Sequence, residues 1–284
     1  MALSIFTSGA AMSSTNALNK SNSILSTAME RLGTGKRINS AADDAAGLQI
    51  ATRLQGQVNG MSVAQRNISD ATAMLQTGEG AFEEVTNIMY RMKDLATQSA
   101  NDTNNDKDRV AMQAEFSALV SELDNIWGST DFAGTKLFGT SGLAKAGGLN
   151  FQIGTASGGT QLNTKDLSSK IKDLGATLTT DISGLSVSGS SANAAQVIGK
   201  IETAINSVAE VRSGMGALIN RLGHTAANLS NMQDNTTLAL GNIRDADFAT
   251  EATNMTRNQM LAQTSMSMLK QANSMSGMVM SLLG

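Results

Sequence analysis

The chain of 284 residues contains no cysteine and no proline. Without cysteine it has no disulfide bonds, no thiolate metal ligands and no catalytic thiol. Without proline no residue locks φ or removes a backbone N–H donor, so long uninterrupted helices are permitted. These two absences exclude disulfide-stabilised folds and thiol enzymes, and they favour a mainly α-helical protein.

Aromatic side chains are also scarce, at 3% of the residues, with one Trp and one Tyr. Because large aromatic side chains usually anchor globular cores and active-site pockets, their scarcity disfavours a compact enzyme. Alanine, leucine and methionine supply the apolar content, which suits narrow seams between helices. The net charge of −3 argues against binding to nucleic acid or to an anionic membrane.

Targeting signals are not evident. No stretch approaches the ~20 apolar residues of a membrane span. The N-terminus lacks the basic region and the apolar run of a cleaved signal peptide. By these rules alone the sequence indicates a cytosolic protein.

Motifs that carry chemistry are nearly absent. One histidine, His224, cannot form a structural zinc site in a chain without cysteine. GTGK at 33–36 lacks the spacing of a phosphate-binding loop. Asp43 and Asp44 are adjacent, and on a helix they diverge by ~100°, so capping or helix-dipole complementation is favoured over a carboxylate pair. We therefore expect no catalytic, cofactor-binding or metal-binding residues and no enzyme.

Long helical patterns dominate the middle of the chain. Residues 45–100 carry a heptad seam of about six repeats, and 193–243 carry the most regular heptads. The turn NDTNNDKD at 101–108 joins the first of these helices to another that ends near residue 128. Long helices joined by a short turn indicate an antiparallel hairpin in a coiled-coil-like bundle.

A glycine-rich and serine-rich region follows. The alternation in LNFQIG, with TQLN returning after two glycines, predicts a small β-hairpin at about 137–163. Residues 166–192 are interpreted as a short, weakly structured excursion, the natural place for an insertion.

Both ends carry amphipathic segments that have too few apolar groups to offset the ordering entropy alone. The simplest arrangement pairs the two ends in one layer, with the central helices in another. Side chains expected in this seam are Leu18, Leu25, Met29, Leu32, Phe248, Met255, Met266, Leu269, Leu282 and Leu283.

The segment ERLGTGKRINSAADDAAGLQIATRL at 30–54 interrupts a helical pattern and then restarts it. Gly33 and Gly35 suit a helix end because glycine tolerates positive φ. Asn39 and Ser40 offer capping side chains for the next helix. The segment is therefore predicted to be a joint between two helices.

Ends that fold only on packing point to a self-assembling subunit. The alternatives are a coiled-coil adaptor that folds fully as a monomer, and an enzyme with an unrecognised site. The motif at 30–54 resembles the N-terminal signature of bacterial flagellins. The resemblance covers about 1–165 and 195–284, and its other motifs are LATQSAND at 95–102, DFAGTKLF at 131–138, IRDADFATEATNM at 243–255 and the terminal SLLG.

The resemblance implies a short flagellin without large variable outer domains. Flagellins polymerise into the flagellar filament for motility, so the expected assembly is a homopolymer joined to hook-associated junction and cap proteins. Subunits are secreted unfolded through the flagellar type III apparatus, which replaces the cytosolic expectation with an extracellular one. The family's C-terminal helix also binds an export chaperone. A hook–filament junction protein is the rival within the superfamily, and the match through 95–138 disfavours it.

The resemblance also divides the chain. It implies an inner coiled-coil domain of 1–44 and 243–284, and an outer helical domain of 45–165 and 193–242, with 166–192 as a residual variable excursion. Residues 33–44 become the spoke between the two. The residues expected to act in the spoke are Gly33, Gly35, Lys36, Arg37, Asp43 and Asp44, together with Arg31, which precedes it.

Recognition by a host Toll-like receptor for flagellin is implied at three positions. An Arg, a Leu and a Glu on the first two outer helices make the key contacts in recognised flagellins. The matching residues are Arg91, Leu95 and Glu115.

Overall fold

The computed structural model describes residues 9–155 and 161–283, with side chains described as far as residue 275 in the last helix. Within these residues the fold is mainly helical, as the sequence predicts, and it has two small antiparallel β-hairpins where the sequence predicts one. The helices are α1 (Gly9–Thr34), α2 (Ala45–Ser99), α3 (Asp106–Ser129), α4 (Lys165–Ala176), α5 (Ser191–Arg244) and α6 (Phe248–Leu283), and the strands are β1 (Asp131–Phe132), β2 (Thr135–Lys136), β3 (Asn150–Gln152) and β4 (Gln161–Asn163).

The chain forms two compact units. The terminal unit comprises residues 1–58 and 234–284, and the central unit comprises residues 59–233. Each unit has its own helix packing, and the two are described in turn below.

In the terminal unit, α1 packs along α6. The last turns of α1 lie beside the first turn of α6, where Arg31 pairs with Glu251 at 3.0 Å, so the two helices run antiparallel. The buried residues of this seam recur at heptad spacing but are small or polar: Ser21 and Ala28 on α1, and Glu251, Asn258 and Ala262 on α6.

In the central unit the heptad positions are large and fully buried. On α2 they are Leu75, Phe82 and Met89, each seven residues apart with no exposed area. The helix α5 runs antiparallel to α2, because Glu79 pairs with Arg212 at one level and Lys93 with Glu202 at another. The α5 seam repeats the same interval through Ile201, Val208, Met215 and Leu222.

An aromatic cluster closes one side of this core. The ring centroids of Phe82 and Phe138 lie 4.7 Å apart, and Trp127 stacks on Phe138 at 4.8 Å. Aromatic pairs at these separations contribute about 0.5–1.5 kcal/mol beyond their buried area. Thus the three rings tie α2, α3 and the loop after β2 together.

The interpretation of 166–192 as weakly structured is wrong. Its first part lies in α4, and a π-helix continues from Thr177 to Ile182. Apolar residues at helical spacing bury one face of this segment against the core, whereas serine and threonine lie mostly outside. The buried members are Leu167, Ile171, Leu174, Leu178 and Ile182.

The strands occupy less of the chain than the predicted hairpin at 137–163. The pairing of β3 with β4 matches the two alternating segments, with Phe151 opposite Leu162. A second hairpin, β1–β2, was not predicted; its two-residue turn has positive φ at Ala133 (51°) and Gly134 (77°), the pattern of a type I′ turn.

Candidate assembly surfaces

The predicted joint is held to the end of α5 by a short antiparallel bridge. Lys36 pairs with Asp245, the backbone N–H of Arg37 donates to the carbonyl of Arg244 at 2.6 Å, and that of Ala246 donates to the carbonyl of Gly35 at 3.0 Å. The two chain segments that leave and enter the terminal helices are therefore fixed side by side. The sequence offered no signal that 243–246 would be this partner.

Of the two glycines predicted to end the first helix, only Gly35 does so. Gly35 has φ of 71° and its N–H donates to the carbonyl of Arg31 at 2.8 Å, which ends α1 by the left-handed capping pattern. Gly33 lies inside α1, so it does not make the bend. The next buried residue is Ile38, 1% exposed, which sequence reasoning missed.

The cations of the spoke have different surroundings. The guanidinium of Arg37 donates through Nη2 to the carbonyl of Ile243 at 2.7 Å. Arg31 is paired with Glu251, whose side chain is only 10% exposed. Within the described residues Lys36 forms no ion pair with a carboxylate.

Two adjacent aspartates of the spoke accept hydrogen bonds from backbone N–H groups. Asp44 precedes α2, and its Oδ1 accepts from the N–H of Gly47 at 2.8 Å, which makes it the N-cap. Asp43 Oδ2 accepts from the N–H groups of Ser40 and Asn39 at 2.8 and 3.1 Å. These backbone hydrogen bonds, from Ser40 first and then Asn39, lower the pKa of Asp43. The prediction that Asn39 and Ser40 cap the next helix is therefore wrong. Their N–H groups stabilise the turn before α2 instead.

The predicted seam residues of α1 and α6 divide into two groups. Leu18, Leu25 and Leu32 are half-buried on α1, as are Met255 and Leu269 on α6. Met29, Phe248 and Met266 are 52%, 60% and 50% exposed, so they lie off the seam between the two helices. Leu282 and Leu283 fall outside the residues whose side chains are described.

Other large apolar side chains of this helix pair are also exposed. On α1 these include Met12 (61%) and Ile24 (39%). The corresponding exposed residues of α6 are Met260, Leu261, Met268 and Met275, each 48–60% exposed. Exposed apolar side chains therefore lie on both helices of the pair.

The three positions matched to receptor contacts lie in different environments. Arg91 and Glu115 form an ion pair, with Nε and Nη2 of Arg91 at 2.9 and 2.6 Å from Glu115 Oε1. Their side chains are 54% and 45% exposed. Leu95 is 2% exposed and lies in the core, away from any surface that a partner could reach.

Within the described part of the chain, no group of three or more histidine, aspartate and glutamate side chains is placed to hold a metal ion. None of the helices there is long and apolar enough to cross a membrane.

Comparison with protein families gives two matches. Residues 5–142 match the bacterial flagellin N-terminal helical region, and residues 198–283 match the bacterial flagellin C-terminal helical region. Together these matches span most of the chain, in the order expected from the motifs.

Whole-chain relatives agree. A flagellin of Halalkalibacterium halodurans is 39% identical over 259 residues, which cover 90% of each chain. A flagellin of Bacillus subtilis is 36% identical, covering 96% of this chain and 97% of that one. Polar flagellin F of Vibrio parahaemolyticus is 33% identical with full coverage of both chains.

Among solved structures, Bacillus cereus flagellin is 34% identical with a TM-score of 0.47, covering 58% of this chain and 88% of that one. A putative flagellar hook-associated protein from Vibrio parahaemolyticus has a TM-score of 0.55 at 16% identity, covering 72% of this chain and all of that one. The second similarity concerns the fold alone.

Proposed function

This chain belongs to the bacterial flagellins, and we propose that its paired terminal helices form the inner layer of the polymer while 45–165 and 193–242 form the outer layer. It is a structural subunit of the flagellar filament and not an enzyme. Subunits polymerise with one another, the filament links to hook-associated proteins, and it is the extracellular part of the flagellum.

The observation that supports an inner layer is the uncovered apolar surface of α1 and α6. A pair of helices buries one stripe of each helix, so residues such as Met260 and Met266 remain exposed at 57% and 50%. Burying one such side chain contributes about 1.5–3 kcal/mol. Neighbouring subunits that cover this surface would supply the stability that the thin seam lacks.

Polymerisation of the pure protein tests the inner layer. Replacing Met260 and Met266 together with glutamine keeps side-chain length and helix propensity but removes apolar area. We expect the critical concentration to rise at least about tenfold, since each ~1.4 kcal/mol changes an equilibrium tenfold. The measurement is sedimentation with negative-stain microscopy.

The matched control replaces the same two methionines with leucine, which preserves the apolar area and should leave the critical concentration near that of the unmodified chain. Far-UV circular dichroism of the unmodified chain should show that helix content rises when the monomer polymerises. An unchanged critical concentration for the glutamine variant would contradict the inner-layer role.

The spoke, residues 33–44, is proposed to hold the terminal helices at a set angle in the polymer. The support is the hydrogen bonding of Gly35 and Arg37 to the segment 243–246, together with the capping of α2 by Asp44. A cation such as Lys36, without a carboxylate partner in the described residues, is then available to a neighbouring subunit.

Two further roles rest on family resemblance. Export in unfolded form through the flagellar type III system fits a chain without disulfides or proline. Binding of an export chaperone fits the exposed methionines of α6, because Met side chains adapt to varied partners. Loss of chaperone binding by the Met260/Met266 glutamine variant, with binding by the leucine variant, would test this role in a pull-down with purified proteins.

Recognition by a host Toll-like receptor is proposed to use the exposed Arg91–Glu115 pair, while buried Leu95 positions α2 beneath it. Arg91→Ala should weaken signalling by monomer in receptor-expressing reporter cells. Arg66→Ala, at another exposed arginine of α2, is the control. Equal signalling by the Arg91 and Arg66 variants would contradict the mapping.

A further inference from the structure

Methionine occurs in two contrasting environments. In the central unit, Met89 and Met215 are fully buried, with no exposed area. On α6 of the terminal unit, Met260, Met268 and Met275 are 57%, 60% and 50% exposed, and we call these three residues the methionine stripe. The same residue type therefore packs the core of one unit and faces solvent in the other.

The stripe lies on one face of α6, away from the seam with α1. Met268 and Met275 are seven residues apart and Met260 precedes Met268 by eight, so at ~100° per residue the stripe spans about 80° of the helix surface. The buried residues Asn258 and Ala262 are centred roughly 130° further around the helix. A chemical change in the stripe therefore does not touch the seam between the two helices.

The thioether is the reactive group of this face. Because the chain has no cysteine, no thiol competes for a two-electron oxidant. With hydrogen peroxide the sulfur attacks one peroxide oxygen, the O–O bond breaks, an S–O bond forms, and the other oxygen leaves as water. The sulfur loses the two electrons that the peroxide gains, so the products are one sulfoxide and one water.

We propose that the methionine stripe is an oxidation site that controls assembly: hydrogen peroxide converts its thioethers to sulfoxides, and a subunit with an oxidised stripe does not add to the polymer. The inference rests on the inner-layer role proposed above and goes beyond it by naming a modification that regulates that role. Oxidation replaces a flexible apolar side chain by a polar one. Covering that polar group without a hydrogen-bond partner is unfavourable.

The surroundings of the stripe make its polarity decisive. Leu261, which follows Met260 and is 48% exposed, extends the same apolar face. Three sulfoxides would therefore interrupt most of the apolar side chains of this face. In the proposed inner layer neighbouring subunits cover the face, so a subunit that has already been incorporated is shielded from the oxidant. The site thus responds in the free subunit and is protected in the polymer.

The modification is reversible. A dithiol reductant, acting through a methionine sulfoxide reductase, returns the sulfoxide to the thioether, while the dithiol becomes a disulfide and the oxygen leaves as water. Each sulfoxide epimer has its own reductase, so both enzymes are needed for full reversal. Reversal separates the effect of the sulfoxides from irreversible damage elsewhere in the chain.

Peptide mass spectrometry after timed exposure to hydrogen peroxide tests the site. In the monomer the stripe should be oxidised at least about fivefold faster than Met89 and Met215, because oxidation follows exposure. In filaments formed before exposure, oxidation of the stripe should be at least about fivefold slower than in the monomer.

Polymerisation of the oxidised monomer tests the control of assembly. Its critical concentration should be at least about tenfold above that of untreated monomer. Both reductases with dithiothreitol should return it to within about twofold of the untreated value. Urea unfolding followed by Trp127 fluorescence checks that the central unit remains folded after oxidation.

Two variants locate the effect. Met260→Leu/Met268→Leu/Met275→Leu keeps the stripe apolar without thioethers, so its own critical concentration before and after peroxide should agree within about twofold. Met232→Leu changes a methionine of α5 that is 54% exposed and leaves the stripe intact. This second variant should remain as sensitive to peroxide as the unmodified chain.

Polymerisation of the untreated chain is measured first and tests the filament function by itself. Given normal filaments there, normal polymerisation of monomer whose stripe is oxidised would overturn the inference alone. Equal sensitivity of the leucine variant and the unmodified chain would also overturn it. If the leucine variant does not polymerise untreated, the reductases decide, because an oxidised chain that they restore to thioethers but that still fails to polymerise would contradict the proposal.

Discussion

The terminal helix pair and the central unit use the same heptad spacing with different side chains. In the central unit the repeat places Leu75, Phe82 and Met89 in the core with no exposed area. In the terminal pair the repeat places Ser21 and Ala28 in the seam. The comparison shows that periodicity decides which face of a helix packs, whereas side-chain size decides how much that packing stabilises.

The difference has an energetic consequence. A buried Phe or Met contributes about 1.5–3 kcal/mol, while a buried Ser or Asn contributes little beyond its hydrogen bonds. We therefore expect the central unit to fold without neighbouring subunits. We expect the terminal pair to depend on neighbouring subunits, and three experiments probe this contrast.

The largest effect is expected in the central core. Phe82→Ala removes a fully buried ring that packs on Phe138, and we expect a loss of about 3–5 kcal/mol in the free energy of unfolding. Phe248→Ala removes a ring that is 60% exposed at the start of α6. Phe248→Ala should lower the free energy of unfolding of the monomer by about 0.5 kcal/mol or less. Urea denaturation monitored by far-UV circular dichroism measures both, and equal losses would remove the contrast between the regions.

An intermediate effect is expected at the spoke. Arg37→Glu loses the hydrogen bond to the Ile243 carbonyl and places a carboxylate against that carbonyl oxygen. We expect this change to lower the free energy of unfolding of the terminal unit by about 1–2 kcal/mol. The central unit should unfold at an unchanged urea concentration, while polymerisation should require several-fold more protein. Arg53→Glu changes an exposed arginine of the terminal unit, the unit that contains Arg37, and serves as the control. Filaments formed normally by the Arg37 variant would refute the spoke role.

The smallest effect is expected from titration of the spoke turn. Hydrogen bonds from Ser40 and Asn39 lower the pKa of Asp43, so the folded turn favours the charged carboxylate. Their contribution is complete above the ordinary aspartate pKa of about 3.9, and it is lost as the pH falls further through the lowered value. An NMR titration of the Ser40 amide should follow this loss, and Asp43→Asn should abolish the transition. A midpoint at or above the ordinary value would contradict the assignment.

Much of the architecture was predictable because heptad spacing is a local property of the chain. The spacing located α2 and α5, the composition of 101–108 located the turn before α3, and alternation located β3 and β4. The error at 166–192 came from weighting its Gly, Ser and Thr content above the spacing of Leu167, Ile171 and Leu174. That spacing was present and would have predicted α4.

The candidate surfaces were less predictable. The sequence marked Arg31 as a spoke cation, but its partner Glu251 lies 220 residues away and nothing local connects them. Likewise Leu95 was matched to an exposed contact, and its burial depends on helices that pack over it. Asp44 was foreseen near a helix start, because capping is decided within a few residues.

The sequence by itself determined the long helices, the residues that share a face of each helix, and the absence of cysteine and proline, because these depend on residue type and on spacing along one chain. Tertiary structure decided which faces are covered. It buries Ser21 while leaving Met29 exposed, and it brings Met215 so close to α2 that a Cβ at Gly78 would lie 2.7 Å from its Cε. The physical reason is that periodicity specifies which residues share a face, whereas the element opposite that face comes from a distant part of the chain.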